Sequence, residues 1–293
     1  MTALRAAKGA FTTDGRGLPN ERQAVGFDAR AAVLWWSRQQ GEGIERGNRG
    51  GFGFWTPEAG VSIAWASDDD ASPTRTANVA ADAALIGLTD AGGEIAMRAD
   101  IDSFGPGGPV VRWSTRPSER WIVHFLALGG ECVVGTRVGW VASPSAPARE
   151  RLDLDGIRSD LLLFASAGAE SRSVPVSGLS LGLGAVSAPG QAAAGYVSRH
   201  GAPSGAVGGA QRTDAAVLLV RDQHELALLG SVASDDSGSP CIDWTNAGPD
   251  RHSVCYLAVE GPRCKVGTAI SPRKLARYAS AVFERQLSAS SCG

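Results

Sequence analysis

The residues whose types and spacing could perform chemistry include a serine between two glycines. Gly178-Leu-Ser180-Leu-Gly182 has the spacing of a nucleophile elbow, the tight turn between a strand and a helix that exposes an attacking serine. The alternating glycines and leucines around Ser180 are instead typical of a strand, so the strand–turn–helix context is not expected. We therefore predict a structural serine, and a hydrolase acting through Ser180 is only a third hypothesis.

Metal ligation has little support in the sequence. The histidines show neither i, i+4 spacing nor clustering; they are His124, His200, His224 and His252. Asp68, Asp69 and Asp70 carry hard oxygen ligands of the kind that calcium binds, but three consecutive side chains converge poorly on one ion. The glycine-rich loop at 41–51 lacks the Gly-Lys-Ser/Thr of a phosphate loop. We predict no catalytic residue, no metal and no cofactor.

The cysteines are odd in number and unevenly spaced, and none forms a CxxC pair. They are Cys132, Cys241, Cys255, Cys264 and Cys292. Such a set is typical neither of a disulfide framework nor of a zinc site. We expect reduced cysteines, most of them buried as small hydrophobic residues.

Composition restricts the class of partner. The chain has 293 residues, a net charge of -2 and 38 glycines. A near-neutral chain lacks the basic footprint of a nucleic-acid-binding protein. No run approaches the length of a membrane-spanning helix, and the first residues lack the apolar core of a signal peptide. We expect neither nucleic acid nor membrane as a partner, and the many glycines favour an all-β protein rich in turns.

The sequence predicts that the elements that must position any site are encoded twice. The segment from Pro109 to Gly130 matches the segment from Pro240 to Gly261 at an offset of 131 residues, and Trp113 falls on Trp244. Self-similarity at a nearly constant offset over most of both halves indicates a duplicated domain. Short apolar runs between Gly and Pro signals predict strands, and 60–67 shows the alternation of a half-buried strand.

These patterns predict two tandem β-sandwich domains from an internal duplication, followed by a C-terminal amphipathic helix. The predicted segments are an N-terminal arm (1–25), repeat 1 (26–142), a linker (143–151), repeat 2 (152–270) and a helical tail (271–293). Within the tail, apolar residues recur at helical spacing on one stripe. We predict that this helix docks on a partner through Leu275, Val282, Phe283 and Leu287.

Tryptophans are concentrated in the first half, which holds all of them except Trp244. Trp35 and Trp36 are consecutive, so on a strand they must point to opposite faces and one of them should face outwards. An exposed indole marks a protein interface or a sugar-stacking platform. Trp35, Trp36 and Trp55 are therefore the candidates for interface or ligand contact.

Each half ends in Pro-x-Val/Ile-x-Trp-Ser/Thr, a turn, and a strand closing with Phe/Tyr-Leu-Ala-Leu/Val-x-Gly. With the opening Gly26-Phe27-Asp-Ala-Arg-Ala-Ala-Val-Leu-Trp35, this pattern resembles a family of tailed-bacteriophage virion proteins, although Ala29 stands where that family has proline. The closing strands are also similar to H-type lectin domains, sandwiches that form trimers and bind sugars. The resemblance covers most of 26–141 and, more faintly, 152–270, and it carries over no sugar-binding residue.

The resemblance implies a non-enzymatic structural component of a bacteriophage particle, on the tail, the baseplate or the capsid surface. Its expected partners are copies of itself, as a trimer or a pseudo-hexamer, and other virion proteins. It would be made in the bacterial cytoplasm and reside in the virion. The alternative is a carbohydrate-binding adhesin that holds a host glycan through Trp35 or Trp36 and the loops near Trp55.

Overall fold

The structure, a computed structural model, describes residues 4–13, 19–20, 24–38, 47–68, 72–169, 171–188, 190–202, 207–221 and 225–261. These residues form 21 β-strands in antiparallel sheets and contain no helix, which confirms the predicted all-β class. Within the same ranges no helix is long and apolar enough to span a membrane. The predicted tail helix, with Leu275, Val282, Phe283 and Leu287, lies outside the described residues.

The strands follow one another along the chain with short connections. The first ten are β1 (Arg5–Thr13), β2 (Pro19–Asn20), β3 (Ala29–Ser37), β4 (Asn48–Trp55), β5 (Gly60–Ser67), β6 (Thr76–Ala81), β7 (Leu85–Leu88), β8 (Ile95–Gly105), β9 (Gly108–Thr115) and β10 (Ile122–Gly129). The remaining strands are β11 (Gly135–Ala142), β12 (Ala148–Arg151), β13 (Leu161–Ala167), β14 (Val176–Ser177), β15 (Leu179–Ser187), β16 (Gly190–Ser198), β17 (Val207–Arg212), β18 (Val217–Val220), β19 (Leu226–Ser234), β20 (Pro240–Ala247) and β21 (Ser253–Glu260).

Four sheets result from their pairing. An eight-stranded sheet has the order β14-β6-β5-β4-β3-β10-β1-β2, and a six-stranded sheet has the order β11-β21-β13-β15-β16-β17. Two smaller sheets have the orders β7-β8-β9 and β12-β20-β19-β18. Most strands near in sequence thus pair with each other, while β10 returns to lie between β3 and β1, and β21 returns to lie between β13 and β11.

Among the described residues, the sheets stack as four layers with three larger hydrophobic cores between them and a smaller cluster between β16 and β18. The first core lies between the three-stranded and eight-stranded sheets and includes Leu34, Met97 and Phe125. The middle core joins the two large sheets face to face, for example through Ile63 and Leu163. The third core fills the space between the six-stranded and four-stranded sheets. A sandwich-like pairing of sheets therefore occurs at each end of the stack.

Face-to-face packing of the large sheets changes the burial pattern that the sequence predicts. The alternation at 60–67 predicts one buried face for β5, yet four consecutive residues from Val61 to Ala64 are buried. Every residue of β6 and of β13 is buried as well. The expectation of a half-buried strand is wrong here because a second sheet covers the face that was assigned to solvent.

The segments outside the predicted repeats also take part in the sheets. Strand β1, in the predicted arm, pairs along its length with β10, from Arg5 opposite Gly129 to Thr12 opposite Ile122. Strand β12, in the predicted linker, pairs with β20. Leu128, in the first predicted repeat, and Leu257, in the second, belong to the same middle core.

The cysteines differ from the expected reduced set. Cys241 and Cys255 are free and buried, and burial raises the pKa of the Cys255 thiol far above its usual range. Cys132, however, is disulfide-bonded, so the expectation of reduced thiols is wrong for this residue. Cys264 and Cys292 lie outside the described residues.

Candidate functional site

The candidate site is an aromatic surface on the eight-stranded sheet, built by four adjacent strands. Trp35 on β3 lies opposite His124 on β10 and opposite Phe52 on β4. Directly opposed residues of antiparallel strands share a face, so the three side chains lie on one side of the sheet. Leu126 is two residues beyond His124 and lies on that side too. We call Trp35, Phe52, Trp65, His124 and Leu126 the aromatic surface.

Three rings of this surface have a ring contact, one between neighbouring strands and one within β4. The Trp35 and His124 rings stack with centroids 5.6 Å apart and an angle of 13° between their planes. Phe52 contacts Phe54 edge-on, at 5.4 Å between centroids. Contacts of this kind favour one orientation for the Trp35, His124 and Phe52 rings. These three rings therefore have defined neighbours before any partner binds.

Trp65 extends the surface across β5 because a glycine makes room for it. Trp65 on β5 lies directly opposite Gly50 on β4. A Cβ atom on Gly50 would lie 2.9 Å from the Trp65 indole, closer than real contacts allow. The indole N–H donates to Asn48 Oδ1 at 3.2 Å. A larger residue at Gly50 would collide with the carbonyl oxygen of Trp36, 2.7 Å from its Cβ atom, as well as with the indole.

The surface continues the middle core but is only partly covered by it. Trp35, Phe52 and Leu126 pack against that core and remain half-buried. On the facing six-stranded sheet, Leu183 is 43% exposed and Tyr196 is 40% exposed. Both side chains lie on the side of the six-stranded sheet that faces the middle core. Apolar side chains of both large sheets are therefore left for a partner to cover.

Burial sets the charge state of the histidine in this surface. Desolvation lowers the pKa of His124 below its ordinary value because the cation loses hydration when the ring is half-buried. The neutral imidazole is thereby favoured near neutral pH. A neutral ring stacked on an indole adds to an apolar contact surface and does not oppose it.

The other two candidate tryptophans lie inside the protein. Trp36 is 3% exposed and Trp55 is 2% exposed, both in the first core. The Trp55 indole N–H donates to the carbonyl oxygen of Ile101 at 2.7 Å. Of the three tryptophans predicted to contact a partner, only Trp35 presents part of its ring to solvent.

Residues with potential chemistry are not brought together. The Ser180 hydroxyl lies in strand β15 and donates to the carbonyl oxygen of Val220 at 2.7 Å. His200 bonds the backbone of Thr76 through Nδ1. Asp68 lies 3.8 Å from Arg49, while Asp69, Asp70 and His224 lie outside the described residues. Among the residues described, no group of three or more His, Cys, Asp or Glu side chains could hold a metal ion.

Sequence reasoning missed several residues of the aromatic surface. Phe52 and His124 were not among the candidate residues, although cross-strand pairing with Trp35 identifies both once the strand order is known. Leu183 and Tyr196 were missed as well. A signal for them was present in the alternation of glycine and leucine along 179–187, which places Leu181 and Leu183 on one face.

No protein-family model, no curated protein and no solved structure matches this chain. The chain itself provides a partly exposed aromatic surface next to a core, which is suited to binding another apolar surface.

Proposed function

We propose that this protein is a non-enzymatic structural component of a bacteriophage particle, placed on the tail, the baseplate or the capsid surface, that assembles through its sandwich sheets. The observation that carries the proposal is the aromatic surface. Tryptophan and other large aromatic residues dominate the energy of protein interfaces. A preformed patch of four rings, continuous with a core, offers such an anchor.

The contacts within the surface favour an interface over the alternative of a glycan-binding adhesin. A sugar stacks on the open face of an aromatic ring. One face of the Trp35 ring is covered by the His124 imidazole, and Trp36 and Trp55 are buried. The stacked pair is therefore better suited to contact the side chains of another protein than to stack on a sugar ring.

We further propose that the chain arose by duplication of one sandwich unit. The order β1-β10-β3-β4-β5-β6 in the eight-stranded sheet corresponds strand for strand to β11-β21-β13-β15-β16-β17. The order β7-β8-β9 corresponds likewise to β18-β19-β20. Trp113 on β9 and Trp244 on β20 occupy equivalent strands, as the sequence match requires.

A shared close contact supports the same origin. In the first half, a Cβ atom on Gly53 would lie 2.6 Å from the carbonyl oxygen of Ala84. In the second half, a Cβ atom on Gly184 would lie 1.8 Å from the carbonyl oxygen of Ala216. Ala84 and Ala216 end the matching segments Asp-Ala-Ala that precede β7 and β18. The same backbone-to-backbone approach is thus made twice with glycine at the same place.

Assembly would follow closed symmetry, which is the common outcome for homo-oligomers. A trimer of a two-unit chain would present six sandwich units, a pseudo-hexamer that matches the six-fold symmetry of a phage tail. The aromatic surface lies in the first unit, so that unit would make the larger contact between subunits.

The tail helix proposed at 272–287 would add a contact with another virion protein. Its apolar residues Leu275, Val282, Phe283 and Leu287 need a cover, because a helix of about four turns is marginal alone in water. Deleting 272–293 is expected to leave a normal β circular-dichroism spectrum and melt but to reduce incorporation into particles. A collapsed β signal in the truncated chain would show that the segment serves its own sandwich instead.

Localisation on a particle tests the proposed function directly. Particles purified from cells that express the chain are labelled with an antibody against it and viewed by electron microscopy. Gold label at a fixed position on tail or capsid is the expected result. Label confined to the soluble fraction, with none on particles, would contradict the proposal.

A further inference from the structure

The middle core joins the two halves of the chain through different parts of their large sheets. We call β1 to β10 the first unit and β11 to β21 the second unit. Face to face, the first unit contacts the second mainly through β3, β4, β5 and β6, and the second unit uses mainly β11, β21, β13 and β15. In the strand correspondence given above, these second-unit strands match β1, β10, β3 and β4. The contact is therefore heterologous, because the two units use opposite ends of the same face.

A heterologous contact leaves the other end of each face without a cover. In the second unit this end lies on β15, β16 and β17, where Leu183, Tyr196 and Val207 are 43%, 40% and 46% exposed. Ala194 and Ser198 lie two residues to either side of Tyr196 and pair with Leu183 and Val207 respectively. Leu183, Tyr196 and Val207 therefore point to the same side of the sheet, and we call them the second-unit patch.

One row of paired residues across each large sheet allows a direct comparison of the units. The sequence match places Cys255 on His124, and cross-strand pairing extends a row from each of these two residues. In the first unit the row consists of His124, Trp35, Phe52, Ile63 and Ala80. In the second unit the row consists of Cys255, Ala165, Leu183, Ala194 and Gln211.

Burial runs in opposite directions along these two rows. The buried ends are Ile63 and Ala80 in the first unit, and Cys255 and Ala165 in the second. The other ends are open: His124 and Trp35 are half-buried, whereas Leu183, Ala194 and Gln211 are exposed. Each unit therefore leaves open the end of the face that its counterpart uses in the middle core.

The edges of the two large sheets differ in the same direction. The outer edge of β6 is paired with β14 and forms a bridge to Arg172, and both belong to the connection between β13 and β15 of the second unit. Strand β17 matches β6 and is the last strand of its sheet in the described part of the chain. An open edge offers backbone N–H and C=O groups to another strand. Within these ranges the second unit thus lacks both the covering sheet and the edge strand that the first unit receives.

We propose that the second-unit patch docks on the first unit of a second copy of this chain and repeats, between chains, the contact that the middle core makes within one chain. Its counterpart is the part of the aromatic surface on β3 and β10, formed by Trp35, His124 and Leu126. The inference rests on the proposed duplication and assembly, and it names the partner of the aromatic surface. Residues of both surfaces adjoin or belong to the middle core, so docking would extend an existing apolar interface.

The sizes of the side chains in the two rows support this pairing. The middle core combines the large Ile63 of the first unit with the small Ala165 and Cys255 of the second. The proposed contact exchanges these roles, because Trp35 is large and Ala194 is small. Such an exchange keeps the total volume of the packed side chains similar. The aromatic side chains on both surfaces would supply anchors of the kind that dominates interface energies.

Mixing two blocked variants tests this pairing, because a heterologous contact uses two different surfaces. His124→Arg blocks the first-unit surface, and Tyr196→Arg blocks the second-unit patch. In sedimentation velocity, each variant alone should associate at least about 30-fold more weakly than the wild type. An equimolar mixture retains one intact pair of surfaces, so at high micromolar concentration it should form a heterodimer and nothing larger.

The control is Val110→Arg. Val110 is 39% exposed on β9, in the three-stranded sheet on the other side of the first core, and its replacement should leave the wild-type oligomer unchanged. Tyr196 is exposed, so Tyr196→Arg should keep the wild-type melting temperature. Trp35→Ala blocks the first-unit surface without adding a charge and replaces His124→Arg in the mixture if that variant melts early.

Two results would overturn the inference alone. One is an oligomer that Tyr196→Arg leaves intact, and the other is a mixture that associates no more tightly than either variant by itself. Assembly through the aromatic surface would survive both results. A wild type that stays monomeric at every concentration would instead overturn the inference together with the proposed assembly.

Discussion

Trp35 and Trp36 are consecutive on β3 and lie on opposite sides of the eight-stranded sheet. Trp36 is enclosed in the first core, and its indole N–H has no hydrogen-bond partner among the described residues. Trp35 is half-buried and stacked on His124. Two identical side chains therefore have different tasks: one maintains the fold, and the other is available to a partner.

Alanine substitution should separate these tasks. Trp36→Ala is expected to lower the free energy of unfolding by about 3–5 kcal/mol, the usual cost of removing a large buried aromatic ring. Trp35→Ala should cost only about 1–2 kcal/mol, because much less apolar area leaves water when this ring folds. Urea denaturation of the dilute protein measures both values. Equal costs would mean that Trp35 is a core residue.

Acidification should destabilise the protein through His124. The unfolded histidine has a pKa of about 6.5 and the folded one a lower pKa, so between these values the unfolded state binds more protons. The contribution of the neutral ring to the free energy of unfolding is fully present above the pKa of the unfolded histidine. It is lost as the pH falls towards the lower pKa of the folded histidine.

His124→Gln removes the titrating group and is the variant that checks this effect. Thermal melts of both proteins between about pH 7.5 and pH 5 should show a steeper loss in the wild type. Parallel curves for the two proteins would show that His124 contributes nothing to the pH dependence.

At the scale of elements, glycines determine how closely the strands of different sheets approach. Gly184 on β15 meets the backbone just before β18, where a Cβ atom would collide with the carbonyl oxygen of Ala216. Because backbone cannot move aside as a flexible side chain does, this position is closed to any other residue without a shift of the sheets.

Gly184→Ala should therefore destabilise the second sandwich by about 1–3 kcal/mol or more, as overpacked core positions do. The control is Gly209→Ala on the edge strand β17, where a Cβ atom would be 3.4 Å from the nearest atom. A melting temperature that falls for the first variant and not for the second is the expected result. Similar melting temperatures would refute the close approach.

Sequence patterns predict the strands of this protein better than they predict the packing of its sheets. The alternation at β5 identifies a strand. Its second face carries only the small residues Ser62, Ala64 and Ala66, and the sequence therefore predicts that this face is exposed to solvent. They are buried, because small residues allow another layer to approach. The partners of Trp35 could not be predicted from local patterns either, because its cross-strand neighbours Phe52 and His124 are distant in sequence.

At the scale of the whole molecule, the stack of four layers gives the two halves different free surfaces. The first half has an end filled by aromatic rings and a partly exposed aromatic surface. The second half has an open polar cleft at its end. The proposed duplication would allow one copy to maintain a contact while the other acquires a different surface.

Sedimentation velocity of the full-length protein, from nanomolar to high micromolar concentration, tests assembly through the aromatic surface most directly. The wild type should sediment as a trimer or a larger closed oligomer at micromolar concentration. Trp35→Ala should weaken this association by at least about 2 kcal/mol, or roughly 30-fold. Trp113→Ala, a half-buried control on the three-stranded sheet, should leave the oligomer unchanged. A wild type that remains monomeric at every concentration, or an oligomer indifferent to the loss of Trp35, would contradict the account.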